Sequence, residues 1–98
     1  MTRVLIADDE PNIVLTLSFM LKREGYEVLT VPDGTQALAA IRAERPALVL
    51  LDGAMPGMTG FEVCEAVRAD PAISETPILM LTAKGRETDI ARGMGAGA

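Results

Sequence analysis

The sequence predicts an α/β fold, a doubly wound parallel sheet with helices on its faces, and three observations carry that expectation. Short apolar runs alternate with stretches of helical period in the order βαβαβαβα. Three of the runs, VLIA, LVLL and ILML, are apolar at every position, the pattern of strands buried on both faces by crossover helices. No internal repeat, low-complexity linker or shift in composition divides the 98 residues, so one small domain is expected.

Taken in order, the first strand spans Val4 to Ala7 and passes into a first helix from Pro11 to Glu24. Ile13, Val14, Leu17, Met20 and Leu21 recur there at i, i+3, i+4 spacing as an inner face, and Gly25 supplies the stop. The second strand is Glu27 to Val31. Asp33 caps a second helix through about Arg42, with Ala37, Leu38 and Ile41 inward, and Pro46 ends the connection. A third strand covers Ala47 to Leu51. The third helix runs from about Phe61 to Ala69, with Phe61, Cys64 and Val67 inward and Glu62 and Glu65 in water, and it stops at Asp70-Pro71. The fourth strand spans Pro77 to Thr82, and Arg86 opens a short fourth helix that runs out in GMGAGA.

Composition removes several function classes. A net charge of −5 with no run of Lys or Arg lacks the basic face that phosphate neutralisation requires, so nucleic-acid binding by this chain is not expected. No apolar run approaches the roughly 20 residues of a membrane span, and Met1 to Arg3 leads straight into a strand, so a cytoplasmic protein without membrane contact is expected. Cys64 is the single cysteine and sits at an apolar helical position, which fits a buried reduced thiol. With no histidine in the chain, a zinc site is not expected.

The chemistry gathers at the strand ends. In an open parallel sheet, ligands bind in the crevice at the carboxyl ends of the strands, and those ends carry Asp8 and Asp9, then Asp52, then Thr82. Like charges ~4 Å apart repel by about 4 kcal/mol at an effective dielectric near 20, so converging carboxylates call for a positive partner. An all-oxygen donor set suits Mg2+, which keeps several waters and takes one or two carboxylates plus a phosphate oxygen. Open coordination positions point to phosphoryl chemistry, with Asp52, alone at its strand end, as the nucleophile of an aspartyl-phosphate. A local reading stands beside this one. Asp8, Asp9 and Glu10 ahead of Pro11 make a good acidic helix start, Asp52-Gly53 could be a turn, and Thr82 could simply end a strand. Capping accounts for the first cluster alone, whereas a shared site accounts for all three.

The segments VLIADDEPNI, LVLLDGAMPGMTGFEV and PILMLTA resemble, in order and spacing, the receiver (phosphoacceptor) domain of two-component response regulators, over essentially the whole chain. The resemblance implies a flavodoxin-like sheet, with Asp52 accepting a phosphoryl group from a sensor histidine kinase or phosphotransfer protein. It implies Mg2+ held by Asp8, Asp9, Asp52 and the main-chain carbonyl of Ala54, and Thr82 as the switch residue. Met55-Pro56 would shape the loop beside Asp52, and Gly57 and Gly60 would let it turn tightly. The family pattern goes on to a fifth strand ending in Lys-Pro and a fifth helix. Residues 1–98 are therefore expected to be a receiver domain truncated at its C-terminus, with strand order 2-1-3-4. Strand four then becomes a bare apolar edge, and a homo-oligomer through that edge is expected. An alternative is a non-switching receiver remnant serving as an oligomerisation or partner-binding module. A phosphatase of the haloacid dehalogenase type also pairs an Asp nucleophile with Mg2+, but its pattern spaces two Asp residues two apart, where this first strand has adjacent Asp8 and Asp9.

Overall fold

The computed structural model describes residues 2–81. Strands β1 (Arg3–Ala7), β2 (Glu27–Val31), β3 (Leu48–Asp52) and β4 (Ile78–Leu81) form one sheet in the order β2-β1-β3-β4, all neighbours parallel. Helices α1 (Pro11–Arg23), α2 (Gly34–Glu44) and α3 (Gly60–Ala69) make the crossovers. Fold class and strand order are as the sequence predicts. The predicted fourth helix and Thr82 lie outside the described residues.

Each helix starts where local chemistry satisfies its free N–H groups. Glu10 caps α1, its carboxylate accepting the Asn12 N–H, and Pro11 occupies the first turn. Asp33 caps α2 by accepting the Gln36 N–H at 2.8 Å. Thr59 and Glu62 form a reciprocal capping box that starts α3 at Gly60, one residue before the predicted start. At the other end, α2 continues past the predicted Arg42 to Glu44, because Ala43 and Glu44 are good helix formers. It stops at Arg45, which turns left-handed (φ 45°) directly before Pro46.

The sheet separates two cores. On one face Leu5, Ala7, Val49, Leu51, Ile78 and Met80 pack against Ala37 and Ile41 of α2 and Val63, Cys64 and Val67 of α3. On the other, Val4, Ile6 and Leu50 meet Val14, Leu17 and Leu21 of α1. Arg68 closes the α3–β4 connection by donating to the carbonyls of Ser74 (2.9 Å) and Thr76 (2.7 Å).

The burial pattern departs from the expected one at three places. Ile13 and Met20 are 37% and 56% exposed, because α1 rests on β1 and β2 along the single line of Val14, Leu17 and Leu21. In α3, Val63 takes the deep position and Phe61 is only half-buried. Strand β4 is not covered on both faces: Ile78 and Met80 are buried, but Leu79 is 52% exposed, since among the described residues α1 is the helix on that face and it sits over the far strands. No helix among the described residues is long and apolar enough to cross a membrane.

The contrast between faces sets a stability expectation. Ile41→Ala opens a cavity in the fully buried α2–α3 side and should cost about 2–5 kcal/mol. Leu15→Ala, at a position 71% exposed on α1, should stay within about 0.5 kcal/mol of the parent in urea unfolding.

Candidate functional site at the carboxyl rim of the sheet

Strands β1 and β3 are paired in register from Val4↔Leu48 to Ala7↔Leu51, so Asp8 and Asp52 follow at the same end of neighbouring strands. Asp8 extends the ladder, its N–H donating to the Val31 carbonyl at 3.1 Å. This holds its side chain at the rim, where it is buried; Asp52 is buried as well, and Asp9 is exposed. One carboxylate oxygen from each of Asp8, Asp9 and Asp52 lies within 4.8 Å of the others. The three acids predicted to share a site are brought together. Thr82, the fourth predicted member, lies outside the described residues.

Each buried carboxylate has one main-chain donor from the turn that follows it. The Glu10 N–H donates to Asp8 Oδ1 at 2.8 Å, and the Ala54 N–H donates to Asp52 Oδ1 at 3.2 Å. These are short-range turn bonds, and they leave most of the lone pairs of the three acids unassigned. Among the described residues no lysine or arginine pairs with any of them; the surface ion pairs are Arg3 with Glu27 and Glu44, and Arg42 with Asp70. Burial pushes the Asp52 carboxyl up to about 6, the Ala54 N–H works against that rise, and the charges of Asp8 and Asp9 add to it.

The loop after Asp52 is tied down closely. Its ends meet through Gly60 N–H donating to the Gly53 carbonyl at 3.2 Å, and the Gly53 N–H donates to Leu81 of β4 at 3.1 Å. Met55 is buried in the α2–α3 core. Gly57 does turn with φ +75°, as expected. Gly60 has a different reason to be glycine: a Cβ there would overlap the Asp52 carbonyl oxygen and stand 2.9 Å from Gly53 Cα. The helix start is thus packed onto the backbone at the end of β3. Sequence reasoning missed this contact and the capping box; the TGFE spacing of Thr59 to Glu62 was the signal available for the second.

Alongside the acids, a cleft of about 510 Å³ opens at Asp8 and Asp9 and runs between Val14 and Leu15 of α1 and Val28 of β2; Asp52 does not line it. Chemically, the acid cluster is an all-oxygen donor set with excess negative charge and no protein counter-ion among the described residues. It fits a hard divalent cation.

A protein-family model described as "Response regulator receiver domain" matches residues 4–98. The DNA-binding response regulator MtrA of Mycolicibacterium smegmatis is 45% identical over 96 residues, covering 98% of this chain and 41% of that protein. The alkaline phosphatase synthesis transcriptional regulatory protein PhoP of Bacillus subtilis is 43% identical over 96 residues, with 98% and 39% covered. This chain therefore spans about two fifths of the length of these relatives. Among solved structures, the chemotaxis response regulator CheY4 of Vibrio cholerae superposes with a TM-score of 0.90 at 41% identity, covering 100% of this chain and 82% of that one. A putative response regulator from Chloroflexus aurantiacus gives a TM-score of 0.93 at 36% identity, with 99% and 80% covered.

The raised Asp52 carboxyl makes a pH prediction. Its folded value of about 6 lies above the ordinary 3.8, so between these values the folded state holds a proton that the unfolded chain releases. Stability from this group therefore falls as pH rises through that window and is flat outside it. In chelator-treated protein, Asp52→Asn should unfold at higher urea than the parent above pH 6, and the difference should shrink toward pH 4.

Proposed function

The chain belongs to the response regulator receiver domain family, and on that premise we propose that Asp52 is its phosphoacceptor, in a Mg2+ site formed with Asp8, Asp9 and the Ala54 carbonyl. The observation that carries the reading is the convergence of the Asp8, Asp9 and Asp52 oxygens within 4.8 Å at the rim of the sheet. The phosphoryl donor is a phosphohistidine on a sensor histidine kinase or a phosphotransfer protein. A carboxylate oxygen of Asp52 attacks phosphorus, an acyl phosphate bond forms, and the P–N bond to histidine breaks with its electron pair staying on the imidazole. The Ala54 N–H, holding Oδ1 at 3.2 Å, orients the carboxylate for that attack and leaves the second oxygen as nucleophile. When bound, Mg2+ supplies the charge neutralisation that lets a dianionic group approach three acids.

Turnover is limited in this reading to self-phosphorylation and slow hydrolysis, so the domain is a relay and not a conventional enzyme. Thr82 would answer the new charge by moving its hydroxyl toward the phosphoryl oxygens, biasing a two-state surface. The names of MtrA and PhoP point to transcription as the output of a longer protein, with residues 1–98 as its receiver. The net charge of −5 keeps DNA contact out of this part of it. A cytoplasmic location follows from the same reading.

One observation favours self-association through β4 as a second reading: Leu79 of that strand is 52% exposed. Size-exclusion chromatography with light scattering should then show dimers at micromolar concentration, and a stable monomer there removes this reading.

For the phosphoacceptor itself, incubation with Mg2+ and acetyl phosphate should add one phosphoryl group by intact mass, and Asp52→Asn should abolish the addition. Calorimetry should detect Mg2+ binding that weakens in Asp9→Asn; no binding by the parent protein would overturn the site assignment.

A further inference from the structure

Gly34, the first residue of α2, sits against the loop that follows Asp52. A Cβ there would overlap the Met58 carbonyl oxygen and stand 2.7 Å from both the carbonyl carbon and Cβ of Met58. Its backbone does not call for glycine, because the left-handed glycines among the described residues are Gly25 and Gly57. At the start of a helix, alanine would be the better residue by propensity. What excludes it is Met58. The next residue, Thr35, repeats the contact more lightly, with its Oγ1 3.5 Å from where a Cβ on Gly57 would lie.

Met58 leads directly into Thr59, the cap of α3, and Gly60, which lies on the Asp52 carbonyl. The contact therefore continues from the α2 N-terminus through Met58 to the backbone of the acceptor aspartate. Met55 and the Gly60–Gly53 bond fix the inner part of the loop, and Gly34 sets how close its outer part can come. Resting on the phosphoacceptor reading above, we propose that Gly34 is a positioning residue for that site: its missing side chain lets the α2 N-terminus seat the 53–59 loop, and with it Asp52 and Ala54, in register with Asp8 and Asp9.

The test compares the parent with Gly34→Ala and with Ala37→Gly. Ala37 is fully buried on the same helix in the α2–α3 core, so its change lowers stability without adding anything at the loop. Gly34→Ala should shift the amide resonances of residues 53–60 in metal-free protein, raise the Mg2+ dissociation constant about tenfold and slow acetyl phosphate labelling by about 100-fold. Ala37→Gly should lower the melting temperature and leave Mg2+ affinity within twofold of the parent. Parent-like affinity and labelling in Gly34→Ala overturn the inference, and so does an equal loss in Ala37→Gly, which would trace the effect to stability. Met58→Gly, which removes the loop's side-chain half of the contact, should also weaken Mg2+ binding. If Gly34→Ala is not recovered folded, unchanged affinity in Met58→Gly overturns the inference. Failure of the parent to bind Mg2+ is a separate result and strikes the site reading instead.

Discussion

Two of the three acids at the carboxyl rim are buried, and burial of like charges is the constraint around which the rest of the molecule is arranged. Parallel pairing of β1 with β3 brings Asp8 and Asp52 to the same end of adjacent strands, where both are buried. Their proximity shows in the carboxyl of Asp52, raised to about 6 first by burial and then by its acidic neighbours. The protein offsets part of this with main-chain donors from Glu10 and Ala54. One N–H per carboxylate is far from full solvation, so the site retains excess negative charge, and its all-oxygen donor set fits a hard divalent cation.

Such a site works only if its geometry is held from outside, since repulsion pushes its members apart. The loop after Asp52 is held at several points: joined at its ends by Gly60 and Gly53, anchored in the core by Met55, and bounded by the start of α2 at Met58. The two glycines at helix starts matter here for what they omit. Gly60 and Gly34 allow backbone to lie on backbone where any side chain would intervene. The capping box of Thr59 and Glu62 then keeps the helix start formed, so that this close packing has a rigid surface to act on.

Most of the fold was legible in the sequence because its signals are local. Asp33 ahead of a helical period marks a helix start wherever it occurs, and continuous apolar runs such as VLIA mark buried strands. The acids at successive strand ends were legible too, because parallel topology sends all carboxyl ends to one rim. What was not legible depends on contacts between distant segments. Nothing near Ile13 or Met20 in sequence says that α1 rests on a line of three residues, and nothing in ILML says that Leu79 faces a side where the described helix sits over other strands. Gly34 and Gly60 were equally opaque, since a glycine chosen for close approach looks the same in sequence as one chosen for a turn.

The asymmetry of the two faces follows from the same division of labour. Met55 and the start of α2 hold the loop after Asp52 from the α2–α3 side, where Ile41, Val63, Cys64 and Val67 are fully buried and α2 packs against α3. On the opposite side α1 has no fully buried residue and presents Ile13, Leu15, Phe19 and Met20 to solvent. A substitution on α1 meets few packed neighbours and is felt locally, whereas one in the α2–α3 core is felt first as lost stability. The rim acids divide by strand and not by face: Asp8 and Asp52 are buried at the ends of paired strands, while Asp9 is exposed just before α1. The cluster thus combines two carboxylates fixed at the ends of paired strands with one exposed carboxylate that has room to adjust.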